Sequence, residues 1–325
     1  RQITSNKVRP TSGIEFVSSR HFPDEVQGDI LINNNIGFLG AKQHKVIDQD
    51  PGFTTEYRHD LFVSRDLNFR PTDLEFAPDG SLYVVDWQNA LIGHMQHNAR
   101  DPNRDHRHGR IYRITYPSRP LLKPAKIDGA SIEQLFSNLE LPELRTRYRT
   151  RRELRGRNPE LVAKAALDWS EDKKDRLKLE ALWVTWGAGQ LDQSLLNELV
   201  GSKDHRVRAA AANVLRFNLP AVPDARKLLQ KIARDSHERV RMTAAVTASY
   251  LPRKQGLQVL AEAEKAPTNK LYKQTYAYAR EVLDRKLAEE DVRERKIAAP
   301  VHLSAKHKKL FVDGSEIYAR EGPVS

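Results

Sequence analysis

Apolar and polar residues change rhythm once along this chain. Through residues 1–116 they tend to alternate, as in Arg110-Ile111-Tyr112-Arg113-Ile114, which is the period of strands. From Ser131 onward apolar residues fall three and four apart, the period of helices packed on one face.

The alternating part contains a repeat. Gly28, Ile30, Ile32 and Asn34 align with Gly80, Leu82, Val84 and Asp86 at a constant offset of 52, each set after an earlier apolar stretch at 13–17 or 72–77. A unit of that length is close to one propeller blade. Pro78-Asp79-Gly80 predicts a tight hairpin, because proline presets the turn and glycine accepts positive φ. Further strands are predicted at 45–47, 61–64 and 110–115. About two blades fit here, and a ring needs at least about four. The remainder is expected before Arg1.

Pro117, Pro120 and Pro124 mark a linker at 117–130. In the helical part, Ser131 with Gln134 reads as a capping box. Asn158-Pro159 reads as an N-cap followed by proline at the first helical position, and Asp192 as the cap of the helix carrying Leu195, Leu196 and Leu199. The triplets Arg145-Thr146-Arg147, Arg176-Leu177-Lys178, Arg206-Val207-Arg208, Arg239-Val240-Arg241 and Leu271-Tyr272-Lys273 recur at spacings of 31, 30, 33 and 32. Five helix pairs in a HEAT-like α-solenoid over 131–288 is the consequence. The arginines of these triplets either pair with acids such as Asp204 and Asp235 or line a groove for an anionic partner, and a protein partner on the solenoid is one candidate. Arg145, Arg147, Arg149, Arg151, Arg152, Arg155 and Arg157 form the densest basic run. Tyr148 is the lone aromatic among them and there is no nucleic-acid motif, which disfavours a nucleic-acid partner.

Composition narrows the chemistry. The 325 residues contain no cysteine, which excludes disulfides, thiol catalysis and covalently attached haem within this piece. No apolar run reaches the roughly 20 residues that span a bilayer. A net charge of +11 speaks to solubility and non-specific attraction, not to fold. The chain begins at Arg1, without methionine, and reads as an internal piece of a longer protein.

Residues 86–114 interrupt the strands with about 22 polar positions, longer than an ordinary loop and therefore expected to be functional. They hold His94, His97, His106 and His108, acids at Asp86, Asp101 and Asp105, and arginines at 100, 104, 107 and 110. His94, His97, Asp101 or Asp105, and His108 would suit a borderline cation such as zinc or manganese. The same residues could instead lace the loop together by hydrogen bonds. Asp86, at the strand end, is expected to hold the loop's arginines or orient a histidine. Arg70 and Asp73 are candidates for the propeller mouth.

Phe69-Arg70-Pro71-Thr72-Asp73-Leu74, Pro78 through Trp87, Ile92 through His97, Arg100 through Asp105 and His108 through Ile114 together resemble the end of the propeller in planctomycete and verrucomicrobial membrane-bound dehydrogenases. That family joins a propeller similar to glucose/sorbosone dehydrogenases, a helical-repeat middle and a C-terminal c-type haem domain. The resemblance implies a quinoprotein-like oxidation of a sugar or related alcohol or aldehyde. It also implies a pyrroloquinoline-quinone-like cofactor, electron transfer to a haem domain outside this chain, and an exported, periplasmic or membrane-associated setting. Arg70, Asp73, Asp86, Arg104 and Arg110 are then the cofactor-binding candidates. Residues 289–309 read as a linker, and Gly314 through Tyr318 resembles the first helix of a cytochrome domain.

The expected architecture is thus mixed, β then α. A partial β-propeller at 1–116 is followed by the linker, the HEAT-like α-solenoid at 131–288 and a tail at 289–325. The alternative function is a non-catalytic propeller and HEAT scaffold that presents surfaces to a protein or a carbohydrate.

Overall fold

The computed structural model describes residues 11–49, 51–92, 100–266 and 269–295, together with three short strands at 302–304, 309–312 and 315–318. Two antiparallel sheets come first. Strands β1 (Thr11–Phe16), β2 (Ile30–Asn34), β3 (Gly40–Gln49) and β4 (Gly52–Val63) pair in chain order, and β5 (Pro71–Phe76), β6 (Leu82–Asp86) and β7 (Arg110–Ile114) do the same. The offset of 52 is kept: β2 and β6 occupy equivalent positions, and Gly28 and Gly80, two residues before each, share φ +83°. Any other residue would be strained at that angle.

The sheets close over one apolar core of Val17, Phe22, Val26, Leu31, Phe69, Leu74, Phe76, Leu82 and Val84. Phe22 and Phe76 meet edge to face at 5.4 Å. Each such side chain stabilises by roughly 1.5–3 kcal/mol on burial. β1 and β5 approach closely at Gly13, where a Cβ would lie 2.6 Å from the Asp73 Cα. Only glycine permits that approach.

Strands β3 and β4 run longer than the stretches 45–47 and 61–64 predicted. Lys42, Gln43 and His44 hide the start of β3 from a hydrophobicity pattern, because they are polar yet buried. After β7 the linker is irregular and is pinned to the β part. The buried His21 ring receives the Tyr116 N–H on Nε2 (2.8 Å) and donates from Nδ1 to the Pro120 carbonyl (2.9 Å).

The chain divides into two compact units, Arg1–Ala225 and Arg226–Ser325. The first adds to the sheets helices α1 (Ile132–Leu139), α2 (Leu144–Arg155), α3 (Pro159–Ser170), α4 (Asp175–Gly187), α5 (Gln193–Leu199) and α6 (His205–Phe217). The second holds α7 (Ala225–Ala233), α8 (Glu238–Ala248), α9 (Arg253–Ala263) and α10 (Lys270–Arg295). Ser131 accepts from the Gln134 N–H, Asn158 from Glu160 and Leu161, and Asp192 from Leu195, so all three caps form.

Each basic triplet opens the second helix of its pair, and within the later repeats its last arginine turns back on its own loop. Arg208 Nη1 donates to the carbonyls of Ser202 and Lys203 at 2.9 and 3.1 Å. Arg241 Nη1, 33 residues on, donates to those of Asp235 and Ser236 at 2.7 and 2.9 Å.

The tail departs from expectation twice. Helix α10 runs on to Arg295, into the stretch expected as a linker. Its apolar period fades there, but Glu, Arg, Lys, Ala and Leu are strong helix formers and propensity alone continues it. Ser315–Tyr318, expected as the first helix of a cytochrome domain, is instead strand β10, paired with β9 (Lys309–Val312), which also pairs with β8 (His302–Ser304). Short alternating segments with β-branched and aromatic residues favour strands over a helix of that length.

Candidate functional site

Strand β6 delivers Asp86 to the edge of the core with its carboxylate fully buried. Oδ1 accepts the backbone N–H of Arg70 at 2.6 Å and of Gln88 at 2.8 Å, and Oδ2 accepts Nε of Arg110 at 2.6 Å. The contact with Gln88 holds a non-glycine residue at φ +50°, a left-handed conformation that costs energy and persists only when its surroundings enforce it. Arg110 also reaches Asp66 at 2.7 Å. The Asn68 N–H, with Arg110 behind it, holds the Asp66 carboxyl below the usual range.

Arg70 works on the loop's backbone. Its Nε donates to the carbonyl of Asn89 (2.9 Å), Nη1 to that of Asn35 (3.2 Å) and Nη2 to that of Ala90 (3.1 Å). Burial lowers its pKa, against the pull of Asp66 and Asp86. Arg104 lies 5.8 Å over the Trp87 ring and donates to the Leu91 carbonyl at 3.4 Å. The structure therefore gathers Arg70, Asp86, Arg104 and Arg110 around one loop. Asp73 stands apart on β5, where its Oδ1 accepts the N–H of Leu74.

Of the proposed metal ligands, His94 and His97 lie outside the described residues. Asp101 caps the N–H of Asn103 at 2.9 Å. Asp105 accepts the N–H groups of Arg107 and His108, and its Oδ2 meets His108 Nδ1 at 2.9 Å. These contacts, that of Arg107 foremost, keep the Asp105 carboxyl below its ordinary range. Among the described residues no three His, Asp or Glu side chains converge as a metal site. The acids serve turns of the loop.

At the equivalent end of β2 the chain places Asn33, Asn34 and Asn35, all buried. Among the described residues, neither amide atom of Asn33 or of Asn34, nor Oδ1 of Asn35, finds a hydrogen-bond partner. On β3 the buried His44 has neither ring nitrogen partnered by a described residue. Its ring meets Tyr57 edge-on at 5.6 Å. Beside it Lys42 pairs with Asp60 at 3.1 Å, and its Nζ sits 4.2 Å from the Phe38 ring centroid. Register sets Asn34 across from Gly40, where a Cβ would collide with the Phe62 carbonyl. Buried polar atoms left unpaired cost about 1–3 kcal/mol each, and such groups in a native protein mark a ligand, an ordered water or a catalytic role.

Sequence reasoning singled out Asn34 only as a marker of the repeat and missed its neighbours. The signal was present: three consecutive asparagines, a type depleted in strands, sit where the pattern asks for apolar residues.

Residues 2–118 match a domain of unknown function (DUF7133), and residues 193–279 match HEAT repeats. A comparison with curated proteins found no match.

Proposed function

We propose that the β part is the closing portion of a propeller whose strand ends hold a carbohydrate-type small molecule. The observation that carries this reading is the set of unpartnered amides of Asn33 and Asn34. Each amide offers two donors and an acceptor, the complement of a polyol whose hydroxyls both donate and accept. Two features support the propeller. The first strands of the two sheets, β1 and β5, are the ones in closest approach, at Gly13 and Asp73. The blade-length offset places β2 and β6 in equivalent positions within their sheets.

The oxidation that the dehydrogenase resemblance implies needs an acceptor for two electrons, which side chains do not provide. A tricarboxylate quinone calls for several free cationic donors, and the residues present do not fit it. The nitrogens of Arg70 go to three carbonyls, and Arg110 is divided between Asp86 and Asp66. Of the nitrogens of Arg70 and Arg110, Nη2 of Arg110 is buried without a partner among the described residues. No redox step is therefore derived, and the function proposed for these residues is binding.

The test is isothermal titration of the full chain with glucose and sorbitol, repeated on Asn33→Leu/Asn34→Leu. Saturable binding in the millimolar range or tighter, lost in the variant, supports the reading. Absence of binding, or equal binding by the variant, overturns it.

A further inference from the structure

Several cations in the helical part of the first unit are matched by a carboxylate. Arg147 and Arg151 share Glu180 of α4 at 3.3 and 2.5 Å. Arg157 is held by Glu153, Lys173 by Glu140, Lys178 by Glu198 and Arg206 by Asp204. Arg149, Arg152 and Arg155 of α2 are exposed, and among the described residues no ion pair forms at any of them. They follow one another three residues apart, so they share a strip of the helix with a rise of about 4.5 Å between them. Arg152 lies 5.8 Å over the Tyr148 ring.

Where this strip meets α4 there is a cavity of about 420 Å³, lined by Arg151, Arg155, Trp183, Val184, Trp186 and Gly187. The walls are already braced. Arg151 stacks 5.5 Å over Trp183, which fixes one face of that indole. Trp186 is stacked on Phe217 at 5.8 Å with 21° between the rings. Gly187 leaves room for the Arg155 head against the last turn of α4, since a Cβ there would already touch Nε at 3.5 Å. The result is one uncommitted guanidinium beside two preset aromatic walls, in a cleft of the size small ligands and peptide side chains fill.

We propose that this cleft docks an acidic linear segment of a partner protein, with a carboxylate on Arg155 and a neighbouring proline or aromatic ring against Trp183 and Trp186. A guanidinium presents two parallel donors to a carboxylate. Tryptophan and arginine together are the residue types that carry most binding energy at protein interfaces. Arg152 and Arg149 extend the same sign of charge along α2 for further acidic residues of the segment. A nucleic-acid backbone is the weaker fit. Its affinity grows with the number of phosphates neutralised, often about six to ten, whereas this strip offers three arginines, and Arg147, Arg151 and Arg157 beside them are paired.

The experiment uses the full chain and three fluorescein-labelled probes: a decapeptide of alternating Glu and Pro, its Gln-Pro counterpart, and an oligo-dT of similar charge. Anisotropy reports binding, and quenching of tryptophan fluorescence reports contact with Trp183 and Trp186. The Glu-Pro peptide is expected to bind at least about tenfold tighter than either other probe, a difference near 1.4 kcal/mol. Arg155→Glu, on an exposed position and checked for an unchanged melting curve, should weaken it by a further factor of about ten. Lys164→Glu, the same charge change on α3, should leave it unchanged. Equal binding of the Gln-Pro peptide, tighter binding of oligo-dT, an unaffected Arg155→Glu variant, or equal loss in Lys164→Glu would each overturn the proposal.

Discussion

Arg145 donates from Nε (3.0 Å) and Nη2 (2.7 Å) to the same oxygen of Glu15, a residue 130 positions earlier in the chain. Its Nη1 reaches Glu75 at 2.9 Å. Next to it Glu143 receives the Arg20 guanidinium at 2.8 Å, and the Leu144 N–H meets Ser18 Oγ at 3.3 Å. The first turn of α2 is thus bolted to the end of β1, and part of the basic run that looked like an anion site is spent on joining sheet to helix.

Removing that bolt has a directional cost. In Arg145→Met the Glu15 carboxylate, 8% exposed, loses its main partner, and a buried charge left alone is costly. We expect a loss of about 2–3 kcal/mol, seen as a lower urea midpoint for the first unit. Adding Glu15→Gln should recover part of it, because the two changes remove one shared interaction.

Asp86→Asn keeps the shape of the side chain but turns one acceptor into a donor facing Arg110 or a backbone N–H. A stability loss of about 3 kcal/mol is expected, with trypsin cutting sooner at Arg100, Arg104 and Arg107 as the loop loosens. Unchanged cleavage rates would show that the carboxylate does not hold the loop.

Asn34→Leu should behave in the opposite sense. It replaces an amide with two unpartnered buried atoms by an apolar group of similar size, so the ligand-free protein should gain about 1 kcal/mol. A higher melting temperature with sorbitol binding abolished is the expected pair of results; a lower one would mean the amide is already satisfied.

His44 gives a pH dependence with a defined sign. Burial first and Lys42 second hold its pKa below the ordinary value, while Asp29 and Asp60 pull the other way. The folded ring therefore binds its proton more weakly than the unfolded one. Stability from this group is complete above about pH 6.5 and is lost as pH falls from there through the lowered folded value. Denaturation midpoints between pH 7 and 5 should drop less steeply in His44→Leu than in the parent.

Asp204 caps α6 through the Arg206 N–H at 2.8 Å and is held at about 2, chiefly by the Arg206 guanidinium. Asp204→Ala should cost about 1 kcal/mol at neutral pH. Because the folded value lies below the unfolded one, that difference should persist above pH 4 and shrink as pH falls toward 2. Melting curves of the two proteins at pH 7 and pH 2.5 measure it.

What could be read from the sequence was whatever geometry repeats. The offset between Gly28 and Gly80 survives because both turns need the same positive φ, and the basic triplets survive because each opens an equivalent helix. HEAT repeats were legible for that reason over 193–279. Pairings between distant residues were not legible. Nothing local in Arg147 or Arg151 announces Glu180, 33 and 29 positions away, whereas the unpaired state of Arg155 follows only once those partners are placed. The Asn33 to Asn35 cluster was missed because alternation counts polar residues as facing solvent, and burial is decided by the strands on either side. The same bias hid the start of β3.

Arg208 and Arg241 each seal the loop that precedes their own helix with two hydrogen bonds to carbonyls of that loop. These bonds close each loop within its own repeat, while the Arg241 head also lies 5.6 Å over the ring of Tyr272 in the next. Such a chain can gain or lose about 33 residues at a time, duplicating or deleting a whole module, without leaving loop carbonyls exposed at the seam. Its length is then free to follow the size of whatever it holds, while the sheets at its N-terminal end stay as they are.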